Sequence, residues 1–212
     1  MSDWTQCQAK GKVLPAQGRR AASTAATRQA VIDAARELLA EGRWSAFTLE
    51  AVAARAGVTR ATVYNQVASK AGLLDAVLTS LVERAGMDRL LSDSREMTPQ
   101  RARMFIVEQT CRFWHAERAV LRPLFGLAGI DQEIAANLAR REQWRTDQLD
   151  DLLARLSPQA GSGSPSRPPR EALLAGLRAV TSFPSYDALG AAADDPAVAA
   201  ALIDRMVSGL TA

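Results

Sequence analysis

The 212-residue chain has one histidine and two cysteines, Cys7 and Cys111, which form no close pair and no Cys-x-x-Cys. No cluster of His, Cys and acidic residues has metal-ligand spacing. No glycine-rich loop follows a strand to cradle a phosphate, and no nucleophile elbow is present. These absences argue against an enzyme and imply neither cofactor nor metal. Long apolar runs are missing too: none approaches the roughly 20 residues of a membrane span, and the N-terminal "MSDWTQCQAKGK" lacks the apolar segment of a secretory signal. Scattered cysteines without a leader imply a reduced, cytoplasmic chain. Strand-like alternation and internal repeats are absent as well, and only eleven residues are aromatic.

Hydrophobic residues make up 48% and charged residues 23%, enough for one sizeable core or a small domain joined to a larger one. The net charge of +3 is unevenly placed. Residues 1–70 hold ten Lys/Arg against five Asp/Glu, whereas residues 71–212 hold 16 against 18. A basic N-terminal third on a neutral-to-acidic body points to a polyanionic partner at that end, unless the charge is only a solvated tail.

The apolar residues follow the helical period throughout. Residues 1–22 are polar, contain Pro15, Gly11 and Gly18 and end in Arg19 and Arg20, which reads as a flexible basic arm. Val31, Ala34, Ala35, Leu38 and Leu39 then share one helix face, and Gly42 stands where a C-terminal cap belongs. Thr48 and Ser69 are N-cap candidates for the second and fourth helices. Pro99 starts a helix to about Ala116, a short segment follows over Leu121–Ala128, and a long helix runs from about Asp131 to residue 156. The "SPQAGSGSPSRPPR" stretch is a loop, and two helices, about 170–183 and 196–210, complete the chain. The expected fold is all-α, about nine helices: a three-helix head over 23–70 and a larger body over 71–212.

One stretch carries the chemistry. In "TLEAVAARAGVTRATVYNQV", Leu49, Val52, Ala53, Ala56, Val58 and Val63 turn inward from two short helices, and Gly57 supplies the positive φ of the turn between them. The second helix is left presenting Thr59, Arg60, Ala61, Thr62, Tyr64, Asn65 and Gln66. A solvated hairpin face normally carries Glu and Lys, and this one carries neither. A helix-turn-helix sets the start of such a helix against base edges in the major groove. Thr59 caps the helix, Arg60 reaches guanine O6 and N7, and Ala61 and Thr62 meet thymine methyls or base edges. Tyr64, Asn65 and Gln66 suit phosphates, and Lys70 adds a cation at the next helix start.

Residues from about 27 to 74, "TRQAVIDAARELLAEG" followed by "FTLEAVAARAGVTRATVYNQVASKAGLL", resemble the DNA-binding head of the TetR family of transcriptional regulators. The pattern Ala-Gly-Val, five residues, Tyr, two residues, Val, then Lys is more specific than a bare helix-turn-helix. The resemblance implies that Arg60, Ala61 and Thr62 read bases, while Thr48, Tyr64, Asn65, Gln66 and Lys70 hold the backbone. Glu50 occupies a position that some relatives fill with a base-reading arginine. The resemblance also implies a fourth connecting helix and a body that dimerises through its last two helices and often holds a small ligand. The expectation is a homodimeric repressor on a pseudo-palindromic double-stranded operator, released by an effector of unknown identity. A helical adaptor, or an activator without small-molecule induction, is the alternative.

In the body, Met104, Phe105, Phe113, Trp114, Leu121, Phe125, Trp144 and Phe183 are the candidate pocket lining, although large apolar residues at helical spacing pack ordinary cores as well. His115, Arg112 and Arg118 are candidates for polar contacts to a ligand. "EALLAGLRAV" and "AVAAALIDRMVSGL" supply small residues for a close two-fold helix interface.

Overall fold

The structure is a computed structural model that describes residues 16–42, 44–156 and 168–211. All the regular elements among these residues are helical: α1 (Ala16–Ala40), α2 (Leu49–Ala56), α3 (Arg60–Val67), α4 (Lys70–Arg84), the single turn α5 (Leu90–Asp93), α6 (Pro99–Leu127), α7 (Gln132–Leu156), α8 (Arg170–Val180), α9 (Phe183–Ala188) and α10 (Pro196–Thr211). The expected all-α architecture stands, with ten α-helices among the described residues.

Local chemistry places the helix ends. Thr48, Thr59, Ser69 and Thr98 each accept a bond from the backbone N–H three residues on, which satisfies one orphan donor of the first turn. Gly57 closes α2 at φ 68°, and the amides of Gly57 and Val58 return to Ala54 and Ala53. Only glycine takes that left-handed conformation without steric cost.

Four boundaries differ from the sequence expectation. Helix α1 begins at Ala16, so residues 16–22 are helical where a flexible arm was expected; alanine and arginine here are strong helix formers and outweigh Gly18. Residues 1–15 and the stretch 157–167 lie outside the described residues. The helix from Pro99 continues to Leu127 without a break, because nothing between Ala116 and Leu121 interrupts it and Pro123 falls within its last six residues. The helix expected over 170–183 stops at Val180. Ser182 caps a new helix that has Pro184 in its first turn. The single turn α5 has no periodicity to reveal it.

The hydrophobic cluster runs continuously from α1–α3 through α4 into the body. Val31, Ala35 and Leu39 of α1, Val52 and Ala53 of α2, and Val63 and Val67 of α3 are all buried in the head. Helix α6 lies at the centre of the body, against α1, α7, α9 and α10. Ion pairs fix these contacts. Arg36 grips Glu117 with Nε and Nη2 at 2.8–3.0 Å, which joins head to body. Arg103 holds Asp204 of α10.

Candidate nucleic-acid interface and effector cavity

The proposed reading face is the outer side of α3. Val63 and Val67 are buried against α1 and α2, which leaves Thr59, Arg60, Ala61, Tyr64 and Asn65 exposed and Thr62 and Gln66 half-buried. Tyr64 is 59% exposed, unusual for so large an aromatic with no packing partner across it. Thr59 Oγ1 accepts from the Thr62 amide at 3.1 Å and lies 2.9 Å from the Thr62 hydroxyl. The two threonines are therefore joined by two local bonds at the helix start. Arg28 of α1 donates to the Gln66 carbonyl, which sets a cation at the C-terminal end of α3.

Two arrangements here are not visible in sequence. Arg60 Nε lies 2.6 Å from Glu50 Oε1, with both side chains mostly exposed. The candidate base-reading arginine is thus held by an acid from α2. Lys70 sits with its Nζ 3.8 Å above the Trp44 ring and 5.6 Å from that of Phe47. Partial burial pulls its pKa below the ordinary lysine value, opposed more weakly by Asp131 and Glu133. Thr48 is exposed, and its hydroxyl is engaged as the α2 cap.

The junction after α3 is tight. Ala68 has φ 58°, the one positive φ at a non-glycine among the described residues. A Cβ on Gly72 would lie 2.1 Å from the Val67 carbonyl oxygen, so only glycine lets the start of α4 approach the end of α3. Sequence reasoning passed over Gly72 because its need arises from two helices meeting.

The body encloses a cavity of about 480 Å³ between α4, α6, α7 and α8, a size typical of small-molecule sites. Of the sequence candidates, Phe113, Trp114, Leu121, Phe125 and the 38% exposed Trp144 border it. Three candidates do not. Met104 is 48% exposed on the outside of α6. Phe105 packs against the core from the side. Phe183 is buried behind the wall, stacked on Phe125 at 5.1 Å and edge-on to Trp114 at 5.7 Å. The first two fall on the wrong faces of α6, and Phe183 supports the wall instead of forming it.

His115 and Arg118 turn to the far side of α6. His115 Nδ1 is 3.2 Å from the Ala193 carbonyl, and Arg118 pairs with Asp187 and Asp194. Arg112 is exposed beside Glu108. Cys111 is buried, and burial pushes its thiol up to about 12, with Glu108 adding to the effect. Such a thiol is inert at neutral pH. Missed in the sequence were the polar lining groups Asp75, Thr79 and Arg141.

No helix among the described residues is long and apolar enough to cross a membrane, and none of those residues group as metal ligands. A left-handed glycine turn between two short helices, with an exposed polar face on the second, defines a helix-turn-helix joined to a helical body. Residues 31–77 match the sequence profile of bacterial regulatory proteins, tetR family. A 116-residue stretch is 35% identical to the HTH-type transcriptional regulator AlkX of Mycobacterium tuberculosis, covering 52% of this chain and 53% of that protein, so the match spans about half the relative's length. The fold is shared with a transcriptional regulator from Rhodococcus sp. Rha1, at TM-score 0.65 and 22% identity over 86% of this chain and 95% of that one. It is shared also with a second Rhodococcus protein described as of the TetR family, at TM-score 0.69 and 16% identity over 88% and 98%. Residues 31–77 thus resemble a tetR-type head, and the solved structures show that the rest of the chain shares the fold of such regulators.

Proposed function

We propose that the protein is a cytoplasmic, non-enzymatic transcriptional repressor that binds a pseudo-palindromic operator as a homodimer and leaves it when a small molecule enters the body. The observation that carries this reading is α3 itself: its apolar side is fully used by Val63 and Val67, and its outer side offers short hydrogen-bonding groups around one exposed arginine paired with Glu50. Arg60, Ala61 and Thr62 read bases at the helix start. Tyr64, Asn65 and Gln66 hold phosphates, with Thr48 and Lys70 on the flanks.

Dimerisation is supported by α8 and α10. Val198 and Met206 are 46% and 47% exposed and share one face of α10 with Ala201 and Gly209, while Ala172, Ala175 and Ala179 line the exposed side of α8. Two reading helices about one helical turn apart would supply the affinity that one lacks. An effector role is supported by the cavity, which abuts α4, the helix that follows α3 directly.

Selection from random double-stranded oligonucleotides tests the reading. The expected result is an enriched inverted repeat whose binding weakens steeply with salt. Recovery of no preferred sequence would instead favour a helical adaptor that kept the hairpin without reading DNA.

A further inference from the structure

The cavity is apolar along most of its wall, but its charges are sorted by position. At one end, Asp75 of α4 meets Arg140 and Arg141 of α7, and Glu142 meets Arg145. Three cations against two carboxylates leave this end one positive charge in excess. Glu83, about 12 Å further along α4, and Asp88 also border the cavity, and both are exposed to solvent.

The two inner arginines are not equally employed. Arg145 donates to Glu142, to the Thr181 hydroxyl at 2.6 Å and to the Arg178 carbonyl at 2.8 Å. Arg141 makes all its bonds through Nη2: to the Asp75 carbonyl and carboxylate, each at 3.0 Å, and to the Thr79 hydroxyl at 2.7 Å. Its Nε is buried and has no partner. A buried donor left unsatisfied raises the energy of the arrangement that contains it. Arg141 therefore fastens α7 to α4 through an incomplete set of bonds, and an anion that took both Nε–H and an Nη2–H would complete the guanidinium fork.

We propose that the cavity receives an apolar molecule bearing a single carboxylate, and that this carboxylate takes Arg141 away from Asp75 and Thr79, uncoupling α4 from the body. The inference rests on the effector reading above and assigns that site its ligand chemistry and its switch. The two states are defined by the partner of Arg141: α4 when the cavity is unfilled, the ligand when it is filled. The acid binds the second state better because only there is the fork complete, and that difference shifts the equilibrium. Since α4 begins three residues after α3 ends, its release carries the reading helix with it. Among the described residues the mostly apolar wall offers one incomplete guanidinium and no second, so a monoacid is preferred to a diacid.

Calorimetric titration of the full chain with decanoate, decanol and decanedioate tests this. The expected order puts decanoate about tenfold ahead of the other two. Arg141→Gln should erase that preference, and Arg141→Lys, which keeps the charge without the fork, should retain part of it. Asp75→Asn removes the competitor for Arg141 and should bind decanoate more tightly than the parent while holding its selected DNA more weakly. A merely structural Arg141–Asp75 contact would give the opposite sign for decanoate. Equal binding of decanoate and decanol, or weaker decanoate binding by Asp75→Asn, overturns the acid latch and leaves the effector reading intact. Binding of none of the three probes overturns the effector reading with it.

Discussion

Arg60 and Glu50 form a pair with opposed consequences at a DNA surface. An exposed pair of this kind is worth about 0–1 kcal/mol, little enough for a guanine edge to displace it. Before contact, the carboxylate keeps the arginine from phosphates and adds a repulsive charge close to them. Arg60→Ala should cost about 1–3 kcal/mol on the selected sequence and relax the preference at one position; equal losses on selected and random DNA would refute the base-reading role. Glu50→Gln should do something different, raising affinity for random DNA more than for the selected site, as read by fluorescence anisotropy on both. Asp187 illustrates a purely structural acid. Arg122, at 2.6 Å and 2.9 Å, and Arg118, at 2.7 Å, pull its pKa below the ordinary aspartate value against the effect of burial. A depressed carboxylate stabilises the fold above its unfolded pKa, and that contribution is lost as pH falls through the folded value. Asp187→Asn should therefore cost about 1.5–3 kcal/mol in urea unfolding at neutral pH, with the difference from the parent disappearing below the carboxylate range.

At the scale of elements, the junction of α3 and α4 is where the proposed reading helix meets the proposed effector body. It combines a positive φ at Ala68, a cap from Ser69 to the Gly72 amide at 3.0 Å and the close approach at Gly72. A methyl at Gly72 meets backbone at 2.1 Å, not the end of a flexible side chain, so one of the helices must move. Gly72→Ala is expected to lose about 1–3 kcal/mol of stability and, because α3 shifts relative to the body, to weaken selected DNA more than random DNA. A thermal melt with paired binding titrations separates the two effects; unchanged values in both would show that the junction tolerates displacement. Lys70 belongs to the same junction. Its stacking on Trp44 holds the start of α4 against the turn that precedes α2.

For the whole molecule, the proposed repressor would act through the spacing of the two heads of a dimer. The bidentate Arg36–Glu117 contact and the Arg84–Asp33 pair tie α1 of the head to α6 and α4, so in the proposed dimer a shift in the body would change what two heads present to a duplex. Met206→Asp sets a charge on the exposed face of α10 and should produce a folded monomer in sedimentation, with affinity for the selected repeat falling toward that for a half-site. A variant that remains dimeric would place the interface elsewhere.

The head could be read from its residues because its chemistry is local. Thr48, Thr59 and Ser69 cap within three residues, Gly57 acts through its own φ, and Val52, Ala53, Val63 and Val67 reveal their buried side by helical period. The same locality showed that the body is helical, and helical period marked Phe113, Trp114 and Leu121 as buried. Other features required distant parts of the chain to meet. Whether Phe183 lines a cavity or supports its wall depends on where Phe125 lies across 58 positions of sequence. Arg60 finds Glu50 only after Gly57 has folded one helix against the other, and Arg141 finds Asp75 across a separation of 66 residues. Periodicity and capping act over a few residues, so sequence alone determined the class of fold and which side of α3 stays exposed. Charge pairs and cavities are set by packing, and tertiary structure alone decided which arginine is held, by what, and what could release it.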